Sequence, residues 1–260
     1  MRLEDKVIIV TGSTTGIGKA IARKCLEEGA RVLIHGLEAE LGAAVRTELD
    51  PGGEKTALRV ADLTAPGSSA AVVDHAIQSF GQLDGLVNNA ALVGNGTIQN
   101  TDEALFDRFI STNLRAPFFL IQAALPHLTR TRGSVVNIGS VNAHAGEGHM
   151  VPYSISKGGL MTLTRNLGDT LTRESGVRIN QINPGWVLTE GEYQRYRDQG
   201  RPDNWPSHLS RFFTPSGRLF TPEEIAAAAI YFLSDESGPV SGSVLDIEQH
   251  TFLGRNLPKF

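Results

Sequence analysis

The chain has 260 residues, 40% of them hydrophobic, with a formal net charge of -4 and one cysteine. Its length accommodates one large α/β domain or two small ones, and its charge offers no footprint for nucleic acid or an anionic membrane surface. The lone thiol, Cys25, excludes an internal disulfide and a multi-cysteine zinc site, and no segment approaches a membrane span, so a soluble, cytoplasmic protein is expected.

In chain order, "KVIIVTG" reads as a strand, "GIGKAIARKCLEEG" as a helix with Cys25 on its apolar side, and "ARVLIHG" as a strand. "EAELGAAVRTEL" follows as a helix closed by a "DPGG" turn, then the strand "TALRVADL", the helix "SSAAVVDHAIQSFG" and the strand "LDGLVNNAA". Residues 101–128 read as one long helix kinked near Pro117. The strand "GSVVNIGS", a helix over 152–173 and the strand "VRINQINPG" come next. A polar stretch over 186–220 holds Trp186 and Trp205, and a connection of that length inside a compact domain predicts an active-site lid. The helix "TPEEIAAAAIYFLS" and the strand "GSVLDIE" finish the pattern. No linker interrupts it, and strands this continuously apolar are covered by helices on both faces. The alternation therefore predicts a doubly wound, mostly parallel sheet with ligand at the carboxyl ends of its strands.

The first strand runs into "TGSTTGIGKA", where Gly12, Gly16 and Gly18 let the turn tighten and the following helix aim its N-terminus at a pyrophosphate. In "YSISK", Tyr153 and Lys157 are four residues apart and share a face if helical, which sets an ammonium beside a phenol. Alone, that pair is expected by chance in about one such chain in ten. His144, Glu147 and His149 in "HAGEGH" lack the i, i+4 face of a zinc motif and have no evident third ligand; they read as polar lining of a substrate pocket, with no metal.

Taken in order, "TGSTTGIG", "NNAA" from Asn88, Asn113 in "STNL", Ser140 thirteen residues before Tyr153, "YSISK" and "NPGWVLT" resemble the short-chain dehydrogenase/reductase family, in its compact single-domain branch, over essentially the whole chain. The resemblance implies a Rossmann fold over 1–260 and an NAD(P)-dependent oxidoreductase that interconverts a secondary alcohol and a ketone. It makes Tyr153 the general acid/base, Lys157 its cationic partner and a ribose ligand, Ser140 a donor to the substrate oxygen, and Asn113 the residue that shapes a helix around a relay water. It puts Gly12, Thr15, Gly16, Ile17 and Gly18 at the pyrophosphate, Asp62 and Leu63 at the adenine, and Asn89 and Ala90 beside the ribose. Pro184, Gly185, Val187 and Thr189 fall near the nicotinamide. A homotetramer is implied as well.

One position departs from the family pattern. Gly36 and Leu37 stand where members often carry Asp for the NAD ribose or Arg for the NADP phosphate. With no cation there, NAD is favoured; NADP stays open if Arg59 reaches the phosphate, and Glu38 is a candidate acceptor for ribose hydroxyls. The substrate is expected to meet Ser140, Tyr153, His144 and Trp186. Aromatic residues among balanced lid charges suit a sugar or polyol, with a 3-oxoacyl-acyl-carrier-protein reductase or a catalytically silent nucleotide-binding protein as the alternatives.

Overall fold

The structure, a computed structural model, describes residues 1–144, 146–212 and 214–249. Seven parallel strands form one sheet in the order β3-β2-β1-β4-β5-β6-β7. They are β1 (Val7–Val10), β2 (Arg31–Gly36), β3 (Thr56–Val60), β4 (Gly85–Asn88), β5 (Ser134–Ile138), β6 (Arg178–Pro184) and β7 (Val244–Ile247). Along β1 the side chains alternate between two cores, which is why the strand is apolar at every position. Ile8 and Val10 meet α1 (Gly16–Glu27) and α8 (Pro222–Leu233), while Val7 and Ile9 meet α3 (Ser68–Phe80) and α5 (Ala116–Thr131). α2 (Ala39–Leu49) contributes Val45 to the first core, and α6 (Val151–Ser175) contributes Leu171 to the second. The fold is thus the doubly wound, Rossmann-type α/β arrangement. The strand order reverses between β1 and β4, and there the carboxyl ends diverge into a crevice. Cys25 is fully buried in the first core, and burial pushes its thiol pKa up, so it packs as a small apolar group.

Two segments differ from expectation. The helix expected over 101–128 is split into α4 (Glu103–Ile110) and α5 by a π-helical turn, Ser111–Arg115. Pro117 closely follows that turn, and without an N–H it cannot bond back to a carbonyl of the preceding turn, so the helix does not run regularly through this place, as its position predicts. The widened turn carries the fully buried Asn113, whose Oδ1 accepts Leu92 N at 2.8 Å and whose Nδ2 donates to Leu92 O at 2.9 Å and Ser156 Oγ at 3.0 Å. In the stretch 186–220, a helix α7 (Glu190–Asp198) forms, capped by Thr189, whose side chain accepts Glu192 N at 3.0 Å. Acids occupy its first turn and Arg195 and Arg197 its last, as the helix dipole favours.

Candidate active site

A cleft of about 650 Å³ opens over the carboxyl ends of the strands. Of the residues expected to bind cofactor or substrate or to carry the chemistry, all line it except Gly18, Asn113, His144 and His149. Its floor is the turn after β1. Gly12 there has φ +60°, and a Cβ on it would lie 2.8 Å from Ala90 Cα; on Gly18 a Cβ would lie 2.2 Å from Gly12 O and 2.4 Å from Asn89 Nδ2. Gly18 therefore acts beneath the surface, letting α1 close onto the turn, while Thr15, Gly16 and Ile17 present the start of α1 to the cleft. Asn89 ties the turn to β4, its Nδ2 donating to Thr11 O and Gly12 O, both at 2.9 Å.

The turn has a second anchor that the sequence did not signal. His35, 2% exposed at the end of β2, accepts the Gly12 N–H at Nδ1 (3.2 Å) and donates from Nε2 to Ala61 O (3.0 Å). That pair of bonds assigns the neutral Nε2–H tautomer. Burial chiefly pulls its pKa below the ordinary 6.5; the Ala61 carbonyl opposes the shift, Arg59 adds to it and Asp62 opposes it. Because the folded value is the lower one, the stability lent by the neutral ring is complete above about 6.5 and is lost as pH falls through the folded pKa. The thermal midpoint of the wild type is expected to drop more steeply with acidification below that point than that of His35→Asn. Parallel pH profiles for the two proteins would overturn this role.

At one end the cleft is walled by Gly36, Leu37, Glu38, Asp62, Leu63 and Thr64. Asp62 accepts Thr64 N (2.8 Å) and Thr64 Oγ1 (2.7 Å), bonds that hold its carboxyl below the usual range. No lysine or arginine, Arg59 included, is among the described residues lining this end. A Cβ at position 36 would lie 2.5 Å from Thr14 Cγ2, so this wall has no room for a longer side chain without moving Thr14.

At the other end, Tyr153 and Lys157 share one face of α6. Lys157 Nζ sits 5.8 Å from the Tyr153 ring centroid and donates to Ile138 O at 2.8 Å; burial pushes its pKa down to about 8. Phe109 packs edge-on against the Tyr153 ring at 6.4 Å, with Met150 in the same cluster. Ser140 follows β5, and its Oγ accepts Asn142 N at 3.1 Å, capping the 3-10 turn Val141–Ala143. Facing this group across the cleft are Pro184, Gly185, Val187 and Thr189. The arrangement joins a phenol, a buried ammonium and a hydroxyl, sufficient to move one proton at a substrate oxygen.

The sequence reading missed Arg108, Asn142 and Glu248 in the cleft lining; Glu192, Arg195 and Tyr196, read only collectively among the aromatic and charged residues of 186–220, line it as well. Glu192 accepts from Trp186 Nε1 and from Arg195 Nη2, each at 2.7 Å, and so fixes the indole in place. The Thr189-to-Glu192 spacing was the available signal for a helix start here. Of the aromatic residues in 186–220, Trp186 and Tyr196 line the cleft with ring centroids 5.5 Å apart, while Trp205 lies behind, stacked 4.5 Å from Tyr196. Trp205 is thus a packing residue of that stretch. His144, expected at the substrate, turns away instead and meets Asp246 Oδ1 at 3.0 Å. No group of three His, Cys, Asp or Glu that could hold a metal ion occurs among the described residues.

A glycine-floored crevice at the switch point of a parallel sheet, with a helix N-terminus aimed into it and a Tyr/Lys pair at its far end, defines a dinucleotide-binding oxidoreductase. Sequence comparison agrees. A family model described as enoyl-(acyl carrier protein) reductase matches residues 12–249. The 2-(S)-hydroxypropyl-CoM dehydrogenase 3 of Xanthobacter autotrophicus is 36% identical over 249 residues, 95% of this chain and 96% of that protein. The L-rhamnose-1-dehydrogenase of Scheffersomyces stipitis is 30% identical (96% and 97% covered), and a 3-oxoacyl-(acyl-carrier-protein) reductase of Thermotoga maritima is 31% identical (95% and 98% covered). The chain belongs to the short-chain dehydrogenase/reductase family and is an NAD(P)-linked oxidoreductase.

Proposed function

We propose that the protein is an NAD-dependent dehydrogenase acting on a secondary alcohol of a sugar or polyol, with residues 186–220 as its lid. The observation that carries the reading is the convergence of Ser140, Tyr153 and Lys157 at one end of a cleft whose floor is a glycine cradle. The cradle fits a nicotinamide dinucleotide: backbone at Gly12 can approach a pyrophosphate where a side chain cannot be fitted, and α1 directs its free N–H groups there. Thr15, Gly16 and Ile17 would hold the pyrophosphate, Asp62 and Leu63 the adenine, and Asn89, Ala90 and Lys157 the riboses; Pro184, Gly185, Val187 and Thr189 would flank the nicotinamide. When bound, that ring takes or gives the hydride.

The remaining chemistry belongs to the chain. Tyr153 exchanges the proton of the substrate oxygen, Ser140 holds that oxygen by a hydrogen bond, and the Lys157 ammonium beside the phenol ring favours the phenolate. Asn113, through both of its bonds to Leu92, keeps the π turn open at the foot of this group and supports a relay water. NAD is supported over NADP by the adenosine end, where Glu38 and Asp62 are carboxylates and no lysine or arginine among the described lining residues awaits a 2'-phosphate. A neutral, hydroxyl-rich substrate is supported by the outer wall: Trp186 and Tyr196 offer ring faces, Asn142 and Glu147 offer polar groups, and Glu192 offsets Arg195.

One screen tests cofactor and substrate together. NAD and NADP are each paired with a panel of sugars, polyols and a β-ketoacyl thioester, and the reaction is followed at the nicotinamide absorbance. NADH formation from a sugar or polyol is expected, with kcat/KM for NAD roughly tenfold or more above that for NADP. Faster turnover with NADPH and the thioester, or no turnover at all, would overturn the reading. The lone buried thiol suits a reducing, cytoplasmic setting. No helix among the described residues is long and apolar enough to cross a membrane.

We also read the protein as a homotetramer. Phe106, Phe118, Phe119 and Ile155 are exposed on α4, α5 and α6, and pairing of copies would cover them. A mass of 28.0 kDa in light scattering, that of one chain, would refute this.

A further inference from the structure

Beneath Ser140 runs a line of polar side chains through the otherwise apolar middle of the sheet. Asn137 Nδ2 donates to Thr164 Oγ1 (2.9 Å), Thr164 Oγ1 donates to Gln181 Oε1 (2.9 Å), and Gln181 Nε2 donates to Asn183 Oδ1 (2.7 Å). All four residues are fully buried. The line ends in a clamp. Asn183 Oδ1 also accepts the backbone N–H of Ser140 (3.1 Å), and Asn183 Nδ2 donates to Asp246 Oδ1 (2.8 Å), the same oxygen that meets His144 Nε2 (3.0 Å). Ser140 and His144 bracket the 3-10 turn Val141–Ala143, so one amide on β6 holds that turn at both ends.

The amide has only one workable orientation. With Oδ1 and Nδ2 exchanged, its NH2 would face two donors, Ser140 N–H and Gln181 Nε2, while its oxygen would face the Asp246 carboxylate. Buried donors and acceptors left unmatched in this way are expensive, and in a dry interior each such bond is strong. The backbone is shaped for the same contact: a Cβ on Gly139 would lie 2.1 Å from Asn183 Oδ1 and 2.3 Å from Gln181 Nε2. Aliphatic side chains would fill this space without any such matching. What the polar line adds is a fixed place for the residue that follows Gly139.

We propose that Asn183 and Asp246 are positioning residues for Ser140, setting its hydroxyl relative to Tyr153 by clamping the turn that carries it. The proposal rests on the role assigned to Ser140 above. Neither residue lines the cleft, so they touch no reacting group and reach Ser140 through that turn. Asn183→Asp keeps the acceptor for Ser140 N–H but sets two carboxylates against each other. Adding Asp246→Asn restores one donor facing one acceptor, with the charge now on β6.

The test measures three quantities on the full chain: hydrogen exchange of the 140–144 backbone amides, NAD affinity by tryptophan fluorescence, and turnover with the alcohol giving most NADH in the screen. For Asn183→Asp, exchange is expected to rise about tenfold and turnover to fall roughly 10- to 100-fold, with NAD affinity within about twofold of wild type. The Asn183→Asp/Asp246→Asn pair should recover both exchange and turnover. Exchange and turnover unchanged in Asn183→Asp, or exchange recovered by the pair without turnover, would overturn the proposal. Ser140→Ala separates the two claims. If it stays active, the role of Ser140 itself is wrong; if it is inactive while Asn183→Asp is active, only the clamp is wrong. Should Asn183→Asp not fold, Asp246→Ala at its half-exposed site is the second variant, expected to loosen the same amides and lower turnover about tenfold.

Discussion

Tyr153→Phe is expected to lower turnover by roughly 10²-fold or more, about 2.7 kcal/mol of barrier, while fold and cofactor affinity stay near wild type. The reason is how little the change removes. Phe keeps the ring, which is 8% exposed and packed edge-on by Phe109 with Met150 nearby, so the apolar contacts survive and only the hydroxyl is lost. The loss falls on the proton step, and no other phenol lies on that face of α6 to replace it. Steady-state kinetics, fluorescence titration with NAD and a thermal melt read the three parts separately. Turnover near wild type would remove Tyr153 from the chemistry.

Lys157→Ala should do more, about 10³-fold in kcat/KM, because it damages binding and rate together. The ammonium is 2% exposed, bonded to Ile138 O, and stands beside the Tyr153 ring with its remaining protons directed at no other described partner. Those protons are the natural donors to ribose hydroxyls, so NAD affinity should fall along with turnover. Ile138 O also loses its bond, which costs about 1–3 kcal/mol of stability where water cannot replace it. The pH dependence has a definite sign. Burial lowers the pKa to about 8, so the free protein loses the cation as pH rises through that value, and NAD affinity should weaken with it. Unchanged NAD affinity in Lys157→Ala would remove the ribose role and leave only the electrostatic one.

Much of this architecture was legible because buried parallel strands and amphipathic helices write different periods into the sequence. The "VIIV" run marks β1 because Val7 and Ile9 serve one core while Ile8 and Val10 serve the other. The cradle was legible because Gly12 and Gly18 are set where neighbouring backbone and Asn89 leave no space for a Cβ. Other features were hidden for physical reasons. α7 has little apolar content beyond Tyr193 and Tyr196, so no stripe announces it; it is held by its Thr189 cap and by aromatic packing against Trp205. Asn137, Gln181 and Asn183 lay inside segments correctly read as strands, but their partner Thr164 comes from a helix, and no local pattern reveals such a meeting. His144 misled for the opposite reason. As part of the polar run "HAGEGH" it read as substrate-pocket lining, but the turn after Ser140 points its ring at β7.

The π turn at Ser111–Arg115 also constrains how the chain can change in length. A π turn holds one residue more than the α turn it replaces, so deleting a single residue there would regularise the helix at the level of backbone hydrogen bonding. Because the π turn takes up that extra residue within a single turn, its removal would leave α4 and α5 close to their present phase. Leu120, Ile121, Ala124 and Leu128 would keep their places on the sheet, and what would be lost is the widening that sets the Asn113 side chain against Leu92. An irregular turn of five residues thus absorbs one residue without disturbing the register of the second core, and the chain can lose that irregularity only by losing the placement of Asn113.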